Sequence, residues 1–292
     1  KLSADADDGR VQGSRLAVGP AGEVYATWHA IGSGSLDFMR FLRSTNGGTT
    51  WTKYGATFAT RPISFPAPGE GVYGFYVIAT DDSPGANREA EPTGGTNPDA
   101  STTVDTTAPT ADVNDLATYT TTASFTVTAT ASDSNGIYRV VLYYRRDGGT
   151  WTIYGVADTA APYEWTFDTA TTGGDGFYEF YAMAYDAAGN SRILPAASAD
   201  ASTTVDTTPP TASGAPSGSN VSISKNITVT FSEPVNRTHA EAAFSIVPNV
   251  AGSFAWNSAG TVMTFVPDSL LAYDREYTVS LNASGIVDIA GN

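Results

Sequence analysis

The chain has 292 residues, 30 acidic against 15 basic, a formal charge of −15 and no cysteine. Carboxylates in excess over unclustered Lys and Arg argue against a nucleic-acid partner and for small cations, and the lack of Cys excludes disulfides, thiolate metal sites and a Cys nucleophile. No apolar run nears the roughly 18 residues that span a bilayer, and a chain that starts without Met and stops at Ala290-Gly291-Asn292 reads as a processed or partial product.

Residues 1–105 alternate apolar and polar side chains over Glu23–Ala30, Leu36–Arg43, Thr50–Tyr54 and Val72–Thr80, with Gly, Pro, Ser and Asn between them. Short strands at this spacing predict a sandwich. Ser44–Trp51 (STNGGTTW) resembles the Asp-box of sialidase-type β-propellers, with Asn46 where the box prefers Asp. A propeller needs several blades and no further copy is present, so the stretch is read as a hairpin turn at Asn46-Gly47-Gly48 with Trp51 packed in the core.

Asp99–Thr107 reads DASTTVDTT, and the same residues return at Asp200–Thr208; the copies run into Ala108-Pro109 and Pro209-Pro210. Recurrence at roughly a hundred residues is the mark of an array of like modules, here 1–105, 106–206 and 207–292. In the second module Ser124–Ala131, Tyr138–Tyr144, Thr150–Tyr154, Tyr163–Phe167, Phe177–Tyr185 and Ser202–Asp206 all carry strand patterns. Its segments GGTWTIYG and GFYEFYAMAY match GGTTWTKYG and GVYGFYVIAT of the first. The fold class expected is all-β: three tandem immunoglobulin-like β-sandwich domains.

The loop Asp186–Asn190 has the form D-x-A-G-N and the linker Val205–Thr211 reads VDTTPPT. On these the first two modules resemble the Ig-like repeats of archaeal and bacterial cell-surface proteins. In the third, Ile227–Val235, Thr261–Pro267, Leu271–Leu281 and Ile286–Asn292 together resemble the bacterial Ig-like domain of surface-layer proteins, with Ser269–Leu271 expected as one helical turn before a strand. The resemblance implies an extracellular structural segment, at the cell surface or secreted, acting as a rigid spacer or assembly unit in a surface layer, wall or filament. Partners would then be copies of itself or neighbouring surface proteins, with glycans as a further possibility. An adhesin for glycan or protein, and accessory modules of a secreted hydrolase, are the alternatives.

A catalytic reading fails on inventory. His29 and His239 are the only histidines, there is no Gly-x-Ser-x-Gly elbow or phosphate loop, and the adjacent pair Asp81-Asp82 lacks two facing carboxyls. Calcium is the sharper expectation. In an Ig-like sandwich the first strand, the B–C loop and the F–G loop meet at one pole, which gathers Asp105, Asp133, Asn135, Asp186 and Asn190 in the second module. The third gathers Asp206, Glu233, Asp288 and Asn292 in the same way, and the first offers Asp37, Asp81, Asp82 and Asn87. The same Asp and Asn residues equally suit plain turn-making and capping. Glycosylation sequons start at Asn220, Asn226, Asn236 and Asn282. Tyr143, Tyr144, Trp151, Tyr154 and Trp165 would stack on sugars if they faced outward, but strand alternation sends about half of them into the core.

Overall fold

The computed structural model describes residues 11–18, 24–30, 38–46, 49–58, 65–80, 90–95, 97–193 and 198–292. Asp37, Asp81, Asp82 and Asn87 lie outside them. The chain divides into two compact units, Lys1–Ala108 with Asp186–Asn190, and Pro109–Tyr185 with Ser191–Asn292.

In the first unit β1 (Val11–Val18) pairs antiparallel with β2 (Val24–Ala30), where His29 sits. A second sheet has the order β4 (Thr52–Phe58), β3 (Phe38–Ser44), β5 (Gly71–Thr80), β6 (Ala100–Val104). The stretch that resembles an Asp-box joins β3 to β4 as a hairpin. Asn46 holds it, its Oδ1 accepting the Thr50 amide at 2.9 Å and its Nδ2 donating to Thr50 Oγ1 at 2.9 Å. The core forms around Phe65, whose ring lies 4.8 Å from Tyr54, 5.3 Å from Phe75 and 5.5 Å from Tyr73. Trp51 is half-buried beside Tyr76 rather than central.

The second unit holds two sandwiches with separate cores. In the first of these, β7 (Thr110–Val113), β9 (Ser124–Ser132) and β12 (Tyr163–Asp168) make one sheet in the order β12-β9-β7. The facing sheet has the order β11 (Thr152–Asp158), β10 (Ile137–Arg146), β13 (Gly176–Asp186), β14 (Ala201–Val205), β8 (Tyr119–Thr120). A three-strand sheet against a longer one, with β8 parallel to the last strand, is the immunoglobulin arrangement. Period-2 alternation sorts β12 cleanly, burying Tyr163, Trp165 and Phe167 and exposing Glu164 and Thr166. Phe167 anchors an aromatic cluster, with Tyr154 at 4.5 Å, Phe180 at 4.8 Å and Tyr178 at 5.3 Å between ring centroids.

The second sandwich of this unit has a sheet in the order β15 (Ala212–Ala215), β16 (Ile227–Phe231), β19 (Val262–Pro267), β18 (Gly252–Trp256), and a pair β17 (Phe244–Val247) with β20 (Thr278–Leu281). Two expectations need correction here. Ser269–Leu271 makes no helical turn; the helix is α1 (Arg237–Ala243), started by Asn236, whose side chain accepts the His239 amide, and held by burial of Ala240 and Ala243. The strand expected at Leu271–Leu281 begins only at Thr278, because Asp274 takes φ 54 in a turn and the Ala272 amide is spent on the Tyr277 hydroxyl at 2.9 Å. Ile286–Asn292 is a loop that touches Val235 through a bridge at Asp288, whose side chain captures the backbone of the residues after it.

Candidate metal centre

The D-x-A-G-N sequence folds the same way twice. In Asp186–Asn190, Asp186 Oδ1 accepts the Gly189 and Asn190 amides at 2.7 and 2.9 Å, and Oδ2 accepts Asn190 Nδ2 at 2.8 Å. In Asp288–Asn292, Asp288 Oδ1 accepts the Gly291 and Asn292 amides at 2.6 and 3.0 Å, and Oδ2 accepts Asn292 Nδ2 at 3.0 Å. Glycine is required at the fourth position, where φ is 99 at Gly189 and 106 at Gly291.

The asparagine then reaches the linker. Asn190 Nδ2 donates to the Asp105 carbonyl at 3.0 Å, and Asn292 Nδ2 donates to the Asp206 carbonyl at 2.8 Å. A side-chain amide has two N–H groups, so one Asn can close its own loop and grip the chain that leads into the next module.

A second bracket holds the threonines of the repeated stretch. Glu70 Oε1 accepts the hydroxyls of Thr106 at 2.7 Å and Thr107 at 2.6 Å, while Asp175 accepts those of Thr207 at 2.9 Å and Thr208 at 3.0 Å. Each acid directly precedes the glycine that opens β5 or β13. These four threonines and two acids escaped the sequence reading; the signal was the matched pair EGVY and DGFY.

The first residue of the repeat also works. Asp99 Oδ2 accepts the Val77 amide at 3.0 Å, and Asp200 Oδ2 accepts the Ala182 amide at 2.9 Å. Asp200 further grips Arg192 through both oxygens, at 2.8 and 2.9 Å, and Arg192 lies 4.0 Å over the Tyr181 ring. DASTTVDTT is thereby accounted for along its length: Asp to the neighbouring strand, STTV as β6 or β14, Asp carbonyl to the asparagine, threonines to the acid.

Among the ligand residues expected for calcium, Asp105, Asp186 and Asn190 come together in one unit, with carboxylate oxygens of Asp105 and Asp186 within 4.8 Å of one another. Asp133 and Asn135 belong to the other unit and shape their own turn, Asp133 Oδ1 accepting the Asn135 amide at 2.7 Å. Asp133 follows β9 as Glu233 follows β16. Asp206, Glu233 and Asp288 offer oxygens within 4.8 Å of one another, with Asn292 hydrogen-bonded to both aspartates.

Electrostatics differ between these groups. Burial pushes the Glu233 carboxyl up, and the charges of Asp206 and Asp288 push it further. Burial also acts upward on Asp186, but hydrogen bonds from the Asn190 side chain and from the loop amides outweigh it and hold this carboxyl below its ordinary range. Asp175 behaves likewise, with Thr207, Thr208 and Arg146 overcoming burial. The donor set is oxygen alone, which suits a hard cation.

The aromatic residues do not form one platform. Tyr144, Tyr154 and Trp165 pack in the core, while Trp151 is half-buried beside Tyr181, with Arg145 4.7 Å over its ring. Asn220, Asn226, Asn236 and Asn282 are all exposed.

Residues 200–292 match the family described as a bacterial Ig-like domain. Residues 103–182 match a second family, described as a bacterial Ig domain. Two successive spans of the chain thus match bacterial Ig-type domains. The matched spans open at Asp200 and Thr103, each within a copy of DASTTVDTT. The comparison with curated proteins finds no match. The FN1–FN3 domains of chicken CNTN1 are 13% identical over 96% of this chain and 93% of that one, with a TM-score of 0.29. A tetra-tandem repeat from the extending region of a large adhesion protein is 14% identical over 95% of this chain and 67% of that one, at a TM-score of 0.31. No helix among the described residues is long and apolar enough to cross a membrane.

Proposed function

We propose that the chain is a structural segment of an extracellular surface protein, a modular spacer or assembly unit of a surface layer, wall or filament, and that it catalyses no reaction. One observation carries this reading: the same joint is built twice, each linker gripped by an asparagine side chain and an acid–threonine bracket. A flexible tether has no use for such grips, since backbone left free costs nothing in ordering entropy. Bacterial Ig domains in tandem support an extracellular setting.

Assembly with copies or neighbours has a plain physical route. β11 and β18 end their sheets and offer backbone donors and acceptors to an added strand. Electron microscopy of the native particle, with the chain located by a bound antibody fragment, tests the proposal. A repeating sheet or thread that contains the chain is expected. Dispersed particles in which the chain flanks a catalytic domain would contradict it.

A further inference from the structure

Acidic side chains crowd both joints, and one of their oxygens has nothing to bond. Asp105 is 9% exposed; its Oδ1 accepts the Thr107 amide at 3.1 Å, and its Oδ2 is buried without any hydrogen-bond partner. The neighbouring Asp186 is 2% exposed, and its oxygens are committed to closing the D-x-A-G-N loop. A buried anionic oxygen without a donor is strongly unfavourable, more so beside a second carboxylate. Among the described residues no Lys, Arg or His pairs with Asp105, Asp186, Asp206, Glu233 or Asp288.

A cation removes this conflict. We propose that a hard divalent cation of the Ca²⁺ type binds at both joints, on Asp105 and Asp186 in the first and on Asp206, Glu233 and Asp288 in the second. The first joint carries the inference through its orphaned oxygen; the second repeats the same loop and linker hydrogen bonds and adds a third carboxylate. Oxygen ligands in an irregular cluster, with solvent completing the shell, fit the variable coordination of Ca²⁺ better than the strict octahedron of Mg²⁺. The ion would neutralise the clustered charge and stabilise the folded joint by mass action. The inference stands whether the chain serves as a spacer or not.

The test is calorimetric titration of the EDTA-stripped full chain with CaCl₂, with thermal unfolding followed in parallel. Two ions per chain are expected at calcium up to about 1 mM, the range of extracellular modules, together with a rise in unfolding temperature. Glu233→Gln and Asp105→Asn preserve shape and spare the loop-closing carboxylates of Asp186 and Asp288. Each should weaken one site at least tenfold and leave the other intact, while unfolding in EDTA at or above the temperature of the parent. No binding in this range, or two ions indifferent to both substitutions, would overturn the proposal.

Discussion

Asp200 shows how much a single side chain in a repeated stretch can be asked to do. It accepts the amides of Val113 and Ala182 and both guanidinium N–H groups of Arg192, and its side chain is only 4% exposed. Removing one partner of such a pair leaves a charge without compensation, which costs about 3 kcal/mol or more. Asp200→Ala should therefore lower the unfolding free energy of the second unit by about 3 kcal/mol, measured by chemical denaturation, and an effect below about 0.5 kcal/mol would show the pair to be dispensable, as exposed pairs are. Arg192 is three-quarters buried against Tyr181, so truncation strands the guanidinium rather than freeing it.

Elements show where the sequence was legible and where it was not. A strand with strict alternation, such as β12, could be placed from pattern because period 2 sorts Tyr163, Trp165 and Phe167 from Glu164 and Thr166 without any tertiary knowledge. The stretch Leu271–Leu281 has the same apolar density, yet Asp274 in a left-handed turn breaks it, and nothing in composition marks an aspartate that will take positive φ. α1 was missed because seven residues are too few for a 3.6-residue period to stand out; its cap, Asn236, was visible only as a sequon. The Asp-rich poles could be assembled from Ig topology alone. The acid–threonine brackets could not, since Glu70 and Asp175 lie more than thirty residues from the threonines they hold.

The second of those brackets should make its joint acid-sensitive. Asp175 is held below the ordinary aspartate range, because hydrogen bonds from Thr207 and Thr208 and the charge of Arg146 outweigh burial. A carboxyl depressed in the folded state contributes stability that is present above its unfolded value and is lost as pH falls through its folded value. Acidification from neutral to below the ordinary aspartate range should lower the unfolding temperature of the second unit, and Asp175→Asn should flatten part of that decline. Identical acid limbs for parent and variant would remove Asp175 from the account. Glu70 shifts in the same direction through Thr107 and Thr106, but it is fully exposed, so solvent screens its contribution.

For the molecule as a whole, repetition is the organising device. One nine-residue stretch supplies a strand, a carbonyl for an asparagine and two hydroxyls for an acid, and supplies them twice. The net charge is −15 and carboxylates gather at both linkers, so under the cation proposal above ions in the medium would act there. If the chain is the structural segment proposed above, its stiffness is expected to depend on Asp105–Thr107 and Asp206–Thr208. The most direct measurement is native-state hydrogen exchange of the Thr106, Thr207, Asn190 and Asn292 amides, all of them donors within the joints. Protection approaching that of the β13 core amides is predicted, because opening the joint must break the bracket and the asparagine grip together. Exchange as fast as in an unstructured peptide would show the linkers to be free tethers and would contradict the account.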